Sequence, residues 1–558
     1  MNRRDFLKTA GAGTLALACP RSWADGKPVL KVGFMSDTHI TRSRKSVERT
    51  RLAMETFRTL GVDVMAHVGD LADWHYEEAY AYYREALDAV FPPGGSRPVL
   101  LYAFGNHDAL EPSRMQGPRT NRIADCRKCW EDMKARLGID HGYHDVRVIA
   151  GYPFLVFPQT LDGDCDLAFY EKTIAEACAR FPDRPVFVIE HPPAYDTTYN
   201  SLFENPKRRA VLDKFPQVVQ FSGHKHASVN NERCFWQGSF TSVQVSCLQK
   251  WYGLNVGERV QGKDAWGVVV MEVFPDRLVL RRYDVRGAVE YRPEAPWVVG
   301  RPPAKEGPAA FAAGAAPTVL PDATPFSSVT VRVPTATDPD SVLFYRVEAR
   351  RRAGEDWKTV SLIDVFGDFG ERREDRTGWR ECRFAASVFE TGAEYRFAVT
   401  PFGFFGTKGA SVSCGWTAPE MAKAEVVWCC EDPMSTQKVV GAGRLADGWF
   451  ESPGGELRID LPKDVIRGEK GDVFRFTADI RIVQPEAALG AAFGIGRATW
   501  SGGLLTPRER ADALRYTLAE TFSGKADGWS FRLAGAGRRR VRFERLLVEK
   551  LGRGKNLK

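Results

Sequence analysis

The sequence predicts an α/β domain followed by two β-sandwich domains, and three observations predict it. From Val29 to about Pro293, apolar runs alternate with helical stretches. From Ala295 to Pro321 the composition turns sharply to Pro, Ala and Gly. Beyond that stretch the helical pattern disappears and apolar residues recur with period two. Buried strands covered by helices make a layered α/β sheet, and period-two alternation marks half-buried strands. At 558 residues the chain is too long for a single core. Its 44% hydrophobic and 27% charged content is that of an ordinary globular protein. The net charge of +7 is small for this length, and the arginines are scattered, so no nucleic-acid-binding patch is evident.

Residues 1–24 read as a targeting segment. "NRRDFLK" places paired arginines before Phe6 and Leu7, and "AGAGTLALA" is apolar but too short to span a bilayer. Arg-Arg-x-Phe-Leu-Lys resembles a bacterial twin-arginine export signal. "SWA", Ser22 to Ala24, offers a small-x-small cleavage site. A lipoprotein-type site at Cys19 competes, but Ala16 three positions before it is a poor match. The expectation is a periplasmic or exported protein with no transmembrane span. An exported chain with 11 cysteines can form disulfides. "CRKC", Cys126 and Cys129, lacks a second pair at zinc-finger spacing and reads as a local disulfide or two ordinary thiols.

Residues 28–293 carry the α/β pattern. "VLKVGFMSD", "VDVMAHVGD", "RPVLLYAFGNHD", "RPVFVIEHPP" and "QVVQFSGHKH" read as strands, with helical stretches such as "SVERTRLAMETFRTLG" and "LAFYEKTIAEACARF" between them. "AWGVVVMEVFPDRLVLRRYDV" reads as a later antiparallel hairpin around Pro275-Asp276. Each of the first five strands ends in groups able to bind metal: Asp37 and His39, Asp70, Asn106 to Asp108, His191, then His224 and His226. Ligands collect beyond the carboxyl ends of α/β strands, so five such ends can converge on one crevice. In Asp37-x-His39 and His224-x-His226 an extended chain would point both side chains the same way. Glycines before Asp70, Asn106 and His224 permit close backbone approach. The donors Asp37, His39, Asp70, Asn106, His191, His224 and His226 are carboxylate, imidazole and amide oxygen, without thiolate. That set suits two divalent ions, manganese, iron or zinc, about 3.5–4 Å apart. Five of the nine histidines fall in these motifs, too many for unrelated core or surface residues.

D-x-H, G-D, G-N-H-D, a lone H and G-H-x-H, in that order, resembles the pattern of the calcineurin-like metallophosphoesterases. The resemblance implies a four-layer α/β/β/α sandwich with a dinuclear metal centre. It implies that Asp37, His39 and His226 hold one ion, that Asn106, His191 and His224 hold the other, and that Asp70 bridges them. It makes His107 the catalytic histidine that assists the leaving oxygen, with Asp108 orienting it and Asp73 supporting the site. His39 argues against the purple acid phosphatase branch, which carries a different residue there. The implied reaction is hydrolysis of phosphate mono- or diesters by in-line attack of metal-bound hydroxide. A non-catalytic surface or glycan-binding protein with a retired phosphoesterase domain is the alternative, disfavoured by the complete donor set.

Around these motifs, His67 reads as packed in its strand or supporting the site, and Trp74 and His75 as pocket lining. Arg114, Arg119 and Arg122 are candidate phosphate clamps, Tyr195 and Tyr199 belong to a possible substrate loop, and His141 and His144 read as surface turn residues. Residues 294–321 form a Pro/Ala/Gly linker. Residues 322–419 read as a β-sandwich, and Gly392-x-x-Tyr395 resembles the late-strand tyrosine of fibronectin type III domains. Residues 424–558 form a β-rich accessory domain similar to jelly-roll carbohydrate-binding modules, which leaves glycan or cell-surface contact open.

Overall fold

The apolar run after Pro28 forms β1 (Leu30–Met35), around which the first half of the chain is built. The computed structural model describes residues 26–109, 119–159, 166–199, 201, 204–249, 253–254, 259–260, 266–300, 307–320, 328–371, 376–385, 388–390, 392–419, 425–453, 455–462, 465–483, 491–495, 504–505, 514–522, 529–535 and 539–553. The expected export signal, with Cys19, and the loop residue Arg114 lie outside the described residues.

β1, β2 (Val64–His67) and β3 (Val99–Tyr102) run parallel, with α1 (Val47–Leu60) and α2 (Glu77–Val90) in their connections. Parallel neighbours need such crossovers. α3 (Arg119–Leu137) follows, and Arg119 and Arg122 fall in its N-terminal part. A second sheet opens with β4 (Asp145–Ile149) antiparallel to β5 (Tyr152–Phe157). It continues through α4 (Leu167–Arg180), β6 (Val186–Glu190), α5 (Pro206–Leu212), β7 (Val218–Ser222), β8 (Phe235–Gln237) and β9 (Thr241–Gln244). Its spatial order is β4-β5-β6-β7-β9-β8, parallel from β5 through β9. β10 (Gly253–Leu254) and β11 (Arg259–Val260) make a short antiparallel ribbon. The chain then returns to the first sheet. β12 (Gly267–Val273) pairs antiparallel with β1, and β13 (Leu278–Asp284) with β12, the hairpin expected around Pro275-Asp276. β14 (Val289–Tyr291) and β15 (Trp297–Val298) both pair with β13.

The apolar residues of β1 divide between two cores. Val32 and Phe34 join Phe154, Phe187, Ile189 and Phe221 of the second sheet. Phe34 stacks on Phe221, ring centroids 3.9 Å apart. Met35 joins Phe57, Tyr80, Tyr83 and Trp130 from α1, α2 and α3. On the far side of the second sheet, Leu155, Val188 and Val218 pack against Tyr170 and Ile174 of α4 and Leu212 of α5. Helix caps match the local sequence: Asp166 accepts from Phe169 N at the start of α4, and Asn205, followed by Pro206, accepts from Lys207 N at the start of α5. Cys126 and Cys129 are both buried on α3. His141 is not the surface residue its Gly/Asp-rich turn suggested. It is 3% exposed, because its Nε2 accepts from Tyr102 N of β3 at 3.0 Å. His144 is half-buried against Phe157 and Phe169 rather than solvated.

Past Pro293 the regular elements among the described residues are almost all strands. Residues 307–320 of the Pro/Ala/Gly stretch lie on the following sheet, with Phe311 beside Tyr345 and Thr318–Val319 paired to Ser328–Pro334. Val342–Ala353 pairs with both Asp356–Phe366 and Glu394–Gly403. Tyr395 is buried and its hydroxyl accepts from Glu390 N at 2.9 Å. Asp356–Phe366 also meets Leu514–Thr521 through one parallel pair, Ser361 with Arg515, so a single ten-stranded sheet runs through both β-rich blocks. Leu343, Phe366, Phe369 and Phe404 join the core between the two N-terminal sheets, and Asn230 Nδ2 donates to the Phe369 carbonyl at 2.9 Å. No helix among the described residues is long and apolar enough to cross a membrane.

Candidate metal centre

The donor side chains turn inward because the backbone kinks just beyond each strand. Fourteen described non-glycine residues have positive φ, and six of them are Asp37, His39, Asp70, Trp74, His224 and His226. Left-handed backbone is unfavourable for such residues and clusters where the surroundings impose it, which is typical of functional sites. This corrects the expectation of an extended chain at Asp37-x-His39 and His224-x-His226. Left-handed turns, not strand alternation, bring both members of each pair together. Cross-links hold the kinks: Asp37 N donates to Gly69 O, His39 N to Asp70 O, Gly223 N to His191 O and His224 N to the Asp37 carboxylate.

The three glycines work by vacancy. A Cβ on Gly69 would lie 2.5 Å from His191 Nδ1, and one on Gly105 would lie 2.2 Å from Asp70 Oδ1. A Cβ on Gly223 would lie 1.9 Å from Ser36 Oγ. The space a side chain would fill is occupied by the site itself.

Six of the seven predicted donors fall into groups whose ligand atoms lie within 4.8 Å of one another. Asp37, His39 and His226 form one group of metal-capable atoms, and Asp70, His191 and His224 another. His39 Nε2 lies 3.1 Å from His226 Nε2, 3.8 Å from Asp37 Oδ1 and 3.6 Å from Asp70 Oδ2. His226 Nε2 is 3.2 Å from Asp37 Oδ1. His191 Nε2 is 2.9 Å from Asp70 Oδ2, while its Nδ1–H donates to the Val68 carbonyl at 2.7 Å. That bond fixes the ring and turns Nε2 inward, as in metal-ligating histidines generally. Asn106 Oδ1 is buried with no hydrogen-bond partner among the described residues. A buried amide oxygen left unpaired is costly unless a cation completes it. Imidazoles packed against carboxylates, with no thiolate among them, fit divalent cations.

Charge organises the site. Burial depresses the His39 pKa, but hydrogen bonds to Asp37 and Asp73 and the Asp70 charge outweigh it and raise it to about 10. Burial likewise opposes the Asp70 and Asp37 carboxylates at His191, whose pKa still rises to about 9. Burial alone would raise the Asp37 pKa, yet the charges of His226 and His191 hold it well below the usual carboxylate range. Burial, then the His191 and Lys225 charges, push the His224 pKa well down. A cation entering the site therefore competes with protons on His39 and His191. Loading the metal-free protein with manganese or zinc should release protons, and apparent affinity should climb as pH rises from 6 towards the raised pKa values. Calorimetry in two buffers of different ionisation enthalpy reads this directly. A buffer-independent heat would contradict it.

Around the donors, His107 Nδ1 meets Asp73 Oδ1 at 3.2 Å, and its backbone N–H donates to Asp70 Oδ1 at 2.8 Å. Asp108 does not orient His107 as expected. Its fully buried carboxylate accepts from the backbone N–H of Asp70, Leu71, Ala72 and Gly105 at 2.8–3.1 Å. Burial and the Asp70 charge push its pKa up to about 6, against the pull of those donors. Asp108 builds the turn, and Asp73 takes the imidazole. His67 is buried in β2 with Nε2 3.1 Å from Thr38 Oγ1, and burial lowers its pKa to about 3. His75 bonds Tyr80 and meets Asp132 at 3.1 Å. Tyr199 is buried in the core between the sheets and Tyr195 is half-buried. Glu204 escaped the sequence reading. It pairs with Lys225 and lies 3.7 Å from His224 Nε2, tying the loop after His191 to the G-H-K-H turn. No spacing within "SLFENP" signals that contact.

Residues 30–228 match the family model for calcineurin-like phosphoesterases. No curated protein matches the chain. Among solved structures, a dimetal phosphatase from Danio rerio aligns at 12% identity over 46% of this chain and 96% of its own, TM-score 0.31. A purple acid phosphatase from yellow lupin aligns at 15% identity over 47% of this chain and 52% of its own, TM-score 0.31. A phosphoesterase from E. coli aligns at 12% identity over 47% of this chain and 96% of its own, TM-score 0.23. With TM-scores this low, none of the three bears on the chemistry. The family match spans every one of the converging strand ends, and residues 30–228 form a calcineurin-like phosphoesterase domain.

Proposed function

We propose that the chain is an exported phosphohydrolase that cleaves phosphate mono- or diesters at a dinuclear metal centre. Residues 28–293 form the four-layer α/β/β/α catalytic domain, and the β-rich blocks at 322–419 and 424–558 are accessory. Asp37, His39 and His226 would hold one divalent ion, Asn106, His191 and His224 the other, and Asp70 would serve both. The observation that carries this reading is the convergence of six Asp and His donors into metal-capable groups, with the buried Asn106 Oδ1 left without a hydrogen-bond partner among the described residues. Manganese, iron or zinc ions would supply Lewis acidity towards the phosphoryl oxygens.

The remaining work falls to the chain. Asp37, His191 and Asp70 are fully or almost fully buried, so the donors sit behind the surface that a substrate meets. The His107 side chain is 29% exposed, within reach of an ester held there. With Nδ1 engaged by Asp73, a protonated His107 keeps Nε2–H for the departing oxygen. The test is metal-dependent turnover of bis(p-nitrophenyl) phosphate and p-nitrophenyl phosphate, with chelated protein and His107→Ala as controls. His107→Ala should lower kcat on methyl phosphate, whose leaving oxygen needs the proton, by roughly 10²–10⁴-fold, the range for a positioned acid–base group, and clearly less on the p-nitrophenyl esters, while metal content is kept. Metal-loaded wild type inactive on both p-nitrophenyl esters, or a methyl-ester rate indifferent to His107→Ala, would overturn the reading.

A further inference from the structure

The His107 ring is held on three sides. Asp73 Oδ1 takes its Nδ1 at 3.2 Å. The His39 ring meets it edge-on, centroids 4.6 Å apart at 82°. The Trp74 indole covers its face, centroids 4.3 Å apart at 30°. No described residue bonds its Nε2. Asp73 and Trp74 are consecutive, so one turn supplies both the in-plane hold and the wall.

Trp74 sits in that turn at φ 71°, in the left-handed region. For a bulky ring that conformation is a genuine outlier and persists only where its surroundings impose it. Backbone bonds on either side hold the turn, Asp73 N donating to Ile40 O and His75 N to Ala109 O, both at 3.0 Å. Leu71, Ala72 and Tyr76 join the cluster under α1 and α2, whereas the half-buried Trp74 is not part of that cluster. The indole's ring contact among the described residues is His107.

The second torsion of histidine is broad. A single bond at Nδ1 fixes that atom but lets the ring roll about it, which swings Nε2. A face contact removes the roll. We propose that Trp74 is a positioning residue for His107, the wall that keeps Nε2 directed at the oxygen leaving phosphorus. This rests on the reading of His107 as the leaving-group acid.

The consequence depends on the leaving group. Departing p-nitrophenoxide needs little proton assistance, whereas a departing alkoxide needs a full proton. The test compares p-nitrophenyl and methyl esters of phosphate on the metal-loaded full chain. Trp74→Ala should lower kcat on the methyl ester by roughly 10–100-fold, the scale of an ångström-sized misplacement, and clearly less on the p-nitrophenyl ester. KM and metal content should hold, and Trp74→Phe should restore most of the rate. In a His107→Ala background, Trp74→Ala should change nothing further, since the two act as a unit. Trp74→Gly, which tolerates the left-handed turn, should repeat the kinetics of Trp74→Ala and so keeps the test open if the alanine variant folds poorly. Equal losses on both esters, or an undiminished Trp74 effect without His107, would overturn the inference alone. Absence of metal-dependent turnover in the wild type would overturn it together with the reading beneath it.

Discussion

Asp70→Ala lowers kcat/KM by roughly 10³-fold or more, because it removes several kcal/mol of shared charge stabilisation at about 1.36 kcal/mol per tenfold. The Asp70 carboxylate reaches donors on both sides of the site. Its Oδ2 lies 2.9 Å from His191 Nε2 and 3.6 Å from His39 Nε2, and its Oδ1 accepts the His107 backbone N–H at 2.8 Å. It belongs to two of the three metal-capable groups, one with His39 and His107 and one with His191 and His224. The variant should bind fewer than two cations per chain, since one shared ligand serves both. The fold should survive, because the turn at residues 70–72 is held by the Asp108 carboxylate rather than by the Asp70 side chain. Circular dichroism should be unchanged while metal content and turnover collapse. Asp70→Asn keeps the shape but loses the charge, and should be nearly as impaired. Wild-type turnover in either variant would remove the shared-carboxylate role.

The donor set was legible because each member closes an apolar run, and apolar runs with covering helices are what a sequence displays best. Other features of the site were not legible, for physical reasons. The left-handed turns at Asp37, His39, His224 and His226 are imposed by bonds from elsewhere, such as His224 N to Asp37 across 187 positions. Asp108 reads as the partner of His107 because it is adjacent, yet its carboxylate lies among the N–H groups of the 70–72 turn. The partner of His107 is Asp73, 34 positions away. Glu204 meets Lys225 only through tertiary folding. His141 sits in a turn that reads as surface, and only the distant Tyr102 N–H explains its burial. The sheet shared by the two β-rich blocks rests on one pairing, Ser361 with Arg515, which no local pattern can announce.

Gly223→Ala tests the same convergence from the side of the backbone. Gly223 is not a glycine for the sake of φ, since it is absent from the positive-φ residues. It is one because the ends of β1 and β7 approach so closely that an added Cβ would lie 1.9 Å from Ser36 Oγ and 2.5 Å from Asp37 Oδ2. Neither atom is free to retreat. Ser36 Oγ donates to the Val68 carbonyl at 3.2 Å, and Asp37 Oδ2 accepts His224 N at 3.0 Å. The methyl group must therefore separate the two sheet ends, carrying His224 and His226 away from Asp37 and His39. Overpacking of this kind costs about 1–3 kcal/mol of stability. A shift of an ångström or less in the ligands should cost roughly 10²-fold in kcat. Gly415→Ala is the control: this exposed strand glycine has nothing within 4 Å of the added atom, and stability should move by no more than about 0.5 kcal/mol. Thermal denaturation, metal content and turnover, measured on both variants, separate the outcomes. If Gly223→Ala kept its metals and its rate, the contact between β1 and β7 would not be what holds the donors of the two sheets in one centre.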